Sequence, residues 1–371
     1  MAKTNLIELY VNWPQAPADA RTFVSVTEAL TALSNIDIAS GESAVWTGRE
    51  KAFPDQDYDV TPVTIYIGAG TYREQLVIDR PKLAMVGEKL TMLGENDTNS
   101  QSAQTVLVYG LGAFEIMPDG EKRGTFRTAS VRIDAPDFTA RNIVFQNDAG
   151  FGRTVGQALA LYVDADRCYF ENCRFLGSQD TLFTAPLPLK EAKPGGFRGP
   201  GEFRPRVMGR HLYRDCFIQG DVDFIFGGAT AWFENCEIFS KMPGDRKPPE
   251  SPDNQQIYGY VTAASTFEEV KYGYELHRCR LTGDCPPHTV YLGRPWREFA
   301  KTVFLECELG EHIHPLGWAD WKKDHDHFFY AEYASTGAGA NPAGRADFSH
   351  QLTGEQAAEY TIERVLDGWN P

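Results

Sequence analysis

Apolar residues change their period twice along this chain. Between Ala18 and Leu33 the positions Phe23, Val26, Ala29, Leu30 and Leu33 recur at helical spacing, which predicts a short amphipathic helix over 18–33. Residues 34–62 are polar and read as loop. From there the period falls to two. PVTIYIGAG (62–70), EQLVI (74–78), KLAMVGE (82–88), TVLVY (105–109) and SVRID (130–134) read as short strands rich in β-branched residues, with turn signals between them. That pattern persists to about residue 310. Helical period returns only near the C-terminus, where Thr353 followed by Gln356 is a capping-box signature and predicts a helix over about 353–366.

Within the strand region one phrase recurs. It appears as ARNIVFQ (140–146), ENCRFLG (171–177), RDCFIQG (214–220), ENCEIFS (234–240), HRCRLTG (277–283) and LECELGE (305–311). Five of the six copies carry a cysteine in one slot. Cys216 and Cys236 stand 20 residues apart, and Cys173–Cys216 and Cys236–Cys279 are each 43 apart, about two such units. A repeat of that length carrying short strands predicts a solenoid whose coils stack about 4.8 Å apart. The recurring Asn and Cys then form internal ladders. A row of small buried thiols is the plain reading of these cysteines; a Cys216–Cys236 disulfide is the alternative in an oxidising compartment.

Two segments break the rhythm. Residues 185–206 (APLPLKEAKPGGFRGPGEFRPR) and 241–256 have the Pro, Gly and charge content of excursion loops, which either flank a substrate groove or are solvated insertions. GAGANPAG (337–344) is glycine-rich but does not join a strand to a helix, as a dinucleotide fingerprint requires. No domain boundary is visible, so residues 1–371 read as a single domain.

Composition narrows the function. The net charge of −15 argues against nucleic acid and anionic membrane as partners. No apolar run is long enough to span a membrane. The N-terminus shows no signal-peptide stretch, which places the chain in the cytoplasm as it stands, or in a secreted or periplasmic setting if a leader has been removed. Seven cysteines without a C-x-x-C pair make a zinc site unexpected. His312, His314, His325 and His327 form a loose cluster better read as surface or packing histidines than as metal ligands. No cofactor or metal is expected, and a monomer is.

The candidate chemistry centres on HLYRDCFIQGDVDFIFGG (211–228). Asp223 lies among Val222, Phe224, Ile225 and Phe226; a carboxylate in such company must be paired, protonated or used, unless it is merely a solvated turn residue. Four further segments stand out: GTYREQ (70–75), GQALAL (156–161), GSQDTLF (177–183) and LGRPW (292–296). Gln157 and Gln179 are 22 residues apart, one coil. Asp180 and Asp223 are 43 apart, again one coil once the excursion of 22 residues is removed. Two amides and two carboxylates therefore face each other across neighbouring strands.

With DFIFGG (223–228), these segments, in order, resemble the signatures of the pectin methylesterases, a carbohydrate esterase family, from about Val63 to Gly339. The resemblance implies an all-β fold, a single-stranded right-handed parallel β-helix, here with short terminal helices. It implies that Asp223 is the nucleophile, Asp180 the general acid and then base, Gln157 and Gln179 the oxyanion donors, and Arg294 the group that keeps Asp223 ionised. Phe226, Trp296, Phe183 and Val222 fall at substrate-contacting positions. Phe183 stands where members often have Tyr, and FGRTV replaces a Gly-Pro phrase before GQALAL. The chemistry is self-consistent: two neighbouring carboxylates do not both ionise readily, and an adjacent Arg decides which one stays charged. Gln amides donate without titrating.

The reaction expected is methyl-ester hydrolysis on homogalacturonan, with pectin or a methylated oligogalacturonide as substrate. The alternatives are a related ester or thioester hydrolase acting on a smaller substrate, imported methylated oligogalacturonides included, and a non-catalytic carbohydrate-binding β-helix. The complete Asp/Gln/Arg set argues against the last.

Overall fold

One backbone conformation repeats through the coils. In the computed structural model, which describes residues 6–40, 60–89, 104–244, 247 and 256–371, the residue ahead of the cysteine slot is left-handed each time. Asn142, Asn172, Asp215, Asn235, Arg278 and Glu306 all have φ between 50° and 58°. Asn and Asp enter this region at little cost, which is why Asn recurs in the phrase. A left-handed residue turns the chain sharply. The strand before it and the strand after it therefore lie in different sheets.

Between Val63 and Leu309 the strands fall in turn into each of three parallel sheets. Cys168–Glu171 belongs to the first, Arg174–Leu176 to the second and Leu182–Thr184 to the third, after which Arg210–Arg214 returns to the first. Among the described residues the sheets hold twelve, eight and seven strands, and each strand pairs in parallel with its counterpart on the next coil. This is the parallel β-helix that the repeat predicted.

Register stacks like on like inside the coils. Phe170, Tyr213 and Phe233 pair in succession, with ring centroids 4.9 and 4.6 Å apart and planes within 7°. Each such contact adds roughly 0.5–1.5 kcal/mol beyond its burial. The cysteines form the expected ladder. Cys173, Cys216, Cys236, Cys279 and Cys307 donate to the carbonyls of Ala140, Phe170, Tyr213, Phe233 and Leu276 at 3.3–3.5 Å. All seven cysteines are free and buried, so Cys216 and Cys236 are ladder thiols and not a disulfide. Asn172 likewise donates to Asn142 Oδ1 at 2.8 Å.

The terminal helices differ from expectation. Residues Arg21–Phe23 are a strand, paired with Ile7–Val11, and the helix runs Val26–Ser40. Ser25 accepts from the Glu28 amide at 3.1 Å, and the Glu74 carboxylate accepts from Val26 and Thr27 at 3.1 and 2.8 Å. These acceptors satisfy the first free amides of the helix and fix its start at Val26. The C-terminal segment is two short helices, Gly354–Ala357 and Ile362–Val365. The Thr353–Gln356 capping box is present, but the Thr361 hydroxyl caps a second helix and so ends the first. Residues 185–206 hold turns and no strand, as an excursion should; most of 241–256 lies outside the described residues. Among the described residues no helix is long and apolar enough to cross a membrane.

Candidate active site

Asp180 and Asp223 reach one place because of strand register. In the third sheet Leu182 pairs with Ile225 and Phe183 with Phe226, so each aspartate stands two residues ahead of a paired position. The Asp180 amide donates to the Val222 carbonyl at 3.0 Å. Two local departures aim the side chains. Asp180 and Asp223 are both left-handed, with φ of 63° and 52°. Strand Val222–Gly227 also bulges against Gly259–Ala264: the pairing passes from Val222↔Tyr260 to Ile225↔Thr262, three residues against two. A bulge of this kind redirects a side chain, and held strain of this size, about 1–3 kcal/mol per residue, concentrates at working sites.

Arg294 follows the strand Val290–Gly293 and meets Asp223 in a two-pronged pair. Its Nε donates to Oδ1 at 2.8 Å and its Nη2 to Oδ2 at 2.6 Å. The guanidinium is sandwiched between the rings of Tyr260 and Trp321, 3.8 Å from each centroid. The fork matches the carboxylate and the rings fix its plane.

Both carboxyls are buried, at 8% and 7% exposure for Asp180 and Asp223. Burial pushes the Asp223 carboxyl above its ordinary pKa, and Arg294 opposes the rise. Asp180 is pushed well above, first by burial and then by the charge of Asp223, against weaker opposition from Arg294. Asp223 therefore loses its proton first, and its charge holds the proton on Asp180.

The two carboxyls open into a cleft of about 380 Å³, also lined by Gln157, Gln179 and Arg294. The glutamines sit on neighbouring coils, with the Ala158 amide donating to the Gln179 carbonyl at 3.1 Å. All five polar residues singled out in the sequence thus share one cavity. An acid, an anion, uncharged donors and a fixed cation around a small cleft suit acyl transfer from an ester.

The family model for pectinesterases matches residues 36–187 and 207–369. The chain belongs to the pectinesterase family. Among its relatives, the probable pectinesterase/pectinesterase inhibitor 36 of Arabidopsis thaliana is 33% identical over 331 residues, covering 83% of this chain and 53% of that protein. The chain thus spans about half the length of that relative. A pectinesterase of Petunia integrifolia is 30% identical, covering 96% of this chain and 85% of its own. Of solved structures, the pectin methylesterase PemA from Erwinia chrysanthemi superposes with a TM-score of 0.69 at 29% identity, over 98% of both chains.

The chain departs from the sequence expectation at the apolar positions. Phe226 and Trp296 line the cleft as expected. Phe183 does not: it is wholly buried between its register partners, with ring centroids 4.9 Å from Phe226 and 4.7 Å from Tyr162. Val222 is also absent from the lining, and its carbonyl serves Asp180 instead. In a strand alternate residues face opposite ways, and the bulge upsets that count at Val222. Sequence reasoning missed Phe126, Phe197 and Trp321 in the lining and Tyr260 under Arg294. GWADW carried the one usable signal, a tryptophan pair in a polar loop. His312 and His314 are buried, His325 meets Asp320 at 3.1 Å, and His327 packs on Phe299.

Proposed function

We propose that this pectinesterase hydrolyses methyl esters of galacturonate residues in homogalacturonan and releases methanol. The observation that carries the reading is the two-pronged Arg294–Asp223 pair beside a buried Asp180, whose carboxyl burial and the charge of Asp223 push well above its ordinary pKa. The Asp223 carboxylate attacks the ester carbonyl carbon, and charge develops on the carbonyl oxygen. The Gln157 and Gln179 amides donate to that oxygen. The C–O bond to the methoxy group breaks as Asp180 gives its proton to it, and methanol leaves. An anhydride then joins Asp223 to the sugar acid. Water attacks the sugar's acyl carbon, Asp180 takes a proton from it, and Asp223 returns to a carboxylate. Arg294 keeps Asp223 ionised between turnovers.

Trp296, half-buried in the lining, offers an apolar ring to a pyranose, with the buried Phe226 packed against it at 5.6 Å and Phe183 beside Phe226. That a structural neighbour was solved with a hexasaccharide bound (28% identity, TM-score 0.70) is in keeping with a cleft for a sugar chain. The test compares methanol release from highly methylated pectin with hydrolysis of acyl-thioesters. Pectin turnover that vanishes in Asp223→Asn, with oligogalacturonide binding kept, supports the reading; preferred thioester turnover refutes it.

A further inference from the structure

The match to the family breaks at residues 188–206, inside the loop that the sequence marks as an excursion. It is a built element. Arg204 donates to buried Asp134 at 2.7 Å and to buried Asp164 at 3.3 Å. Arg206 donates to the carbonyls of Gly201 and Arg204, both at 2.6 Å, and of Glu202 at 2.9 Å. The Glu191 carboxylate accepts from the amides of Gly195 and Phe197 at 2.9 and 3.0 Å, closing the tip into a rigid turn. Phe197 is buried and seats the tip against the cleft aromatics, its ring centroid 6.0 Å from Phe126 and 6.4 Å from Trp296. Arg297 donates to the Lys190 carbonyl at 3.3 Å and ties the loop to the opposite wall.

That turn carries Lys193 into the lining of the cleft. Lys193 is exposed and has no carboxylate partner among the described residues. Arg297, also in the lining, spends its hydrogen bonds on the carbonyls of Trp296 and Lys190. Two cations without a hydrogen-bonded carboxylate thus stand in the lining of one cleft, in a chain of net charge −15. A neutral methyl ester gives them nothing to neutralise, whereas a free sugar carboxylate does.

We propose that the inserted turn at Lys193 is a charge-reading subsite that binds the free carboxylate of a de-esterified galacturonate near the residue being hydrolysed. The product of one turnover is then a better-held neighbour for the next. The inference rests on the esterase reading above.

The test uses oligogalacturonides of one length, fully methyl-esterified or half-esterified, with kcat/KM read from methanol release. The wild-type protein is expected to favour the half-esterified substrate, with the preference shrinking as salt rises. Lys193→Ala should lower that preference about threefold, within the range of an exposed charge contact, and Lys193→Glu should lower it further. Lys193 is on the surface, and a melting curve like wild type checks that each variant folds. Equal kcat/KM on the two substrates, or a Lys193→Glu protein that keeps the wild-type ratio, overturns the subsite while leaving the esterase intact. Methanol from neither substrate sinks the esterase reading itself and the subsite with it.

Discussion

Removing the guanidinium in Arg294→Ala tests the charge assignment most directly. The pair is deep: the Asp223 and Arg294 side chains are 11% and 17% exposed. Deleting one partner of a buried ion pair costs about 3–5 kcal/mol because the other charge is left without compensation. Only the ionised form of Asp223 loses a partner, so the loss appears as an upward shift of its carboxyl. Burial already raises this carboxyl, and Arg294 is what opposes the rise. The reacting form needs Asp223 ionised and Asp180 protonated. The acid limb of the kcat/KM profile should therefore move up, toward the basic limb set by Asp180. Below both acid limbs the variant should be on the order of 100-fold slower, the rate equivalent of about 3 kcal/mol, and should recover part of the loss as pH rises.

The same shift has a stability consequence with a definite sign. A carboxyl whose folded pKa lies above its unfolded value binds its proton more tightly in the native state. Its contribution is full below the unfolded pKa and is lost as pH rises through the folded one. The melting temperature of Arg294→Ala should therefore fall further below wild type at pH 7 than at pH 4. Methanol release measured from pH 3 to 9, with melting curves at both ends, reads both effects. An acid limb that stays in place, or a loss of rate equal at every pH, would falsify the role given to Arg294.

Other outcomes follow from single residues. Glu275 is 1% exposed, its Oε2 has no hydrogen-bond partner, and burial lifts its pKa to about 8. Wild type should lose about 2–4 kcal/mol of stability between pH 5 and 9, and Glu275→Gln should flatten that slope in urea titrations. Gly227 has φ of 128°, and a Cβ there would come within 2.0 Å of the Thr184 carbonyl. Gly227→Ala should cost several kcal/mol or prevent folding, since backbone strain and a backbone clash add; a melting point within 2 °C of wild type, about the effect of a fraction of a kcal/mol, contradicts the register described. Trp321→Ala removes one ring from the Arg294 sandwich and should lower kcat more than it raises KM, with a smaller acid-limb shift than Arg294→Ala. Because Arg294 supplies the fixed positive charge, methanol release should be unchanged in a chelator, and dependence on an added divalent cation would contradict the scheme.

The polar half of the site was legible in the sequence because coil length is nearly constant. Gln157 to Gln179 spans one coil outright, and Asp180 to Asp223 spans one coil once the insertion is removed. Parallel pairing converts that count into contact, as Leu182↔Ile225 shows. The cysteine slot was legible for the same reason. The N-terminal helix was misread because apolar spacing alone places Phe23 and Val26 on one face. Its start is set instead by Ser25 and by the Glu74 carboxylate, 48 residues away from Val26. Phe183 shows the matching limit at the site. The family resemblance suggested contact with substrate, yet register stacks Phe183 between Tyr162 and Phe226 on one face, and Phe126 packs on it at 5.1 Å.

The walls of the cleft could not be read from coil counting, and the physical reason separates the two kinds of residue. A strand residue inherits its position from its neighbour on the previous coil, so a local count suffices. A residue on an insertion has no such template. Its place depends on contacts with distant elements, here Arg204 with Asp134, 70 residues earlier, and Arg297 with Lys190, 107 residues away. The prediction is that the two kinds of residue fail separately. Arg204→Ala should free the loop, because it leaves Asp134 and Asp164 without that cation. Protease cleavage should then increase within 188–206, and the ratio of rates on half- and fully esterified substrates should move toward one. The pH limbs set by Asp180 and Asp223 should stay where they are, because the coils that position them do not depend on the loop. A change in those limbs would mean that the insertion supports the carboxylates, and the division between templated and tethered residues would be wrong.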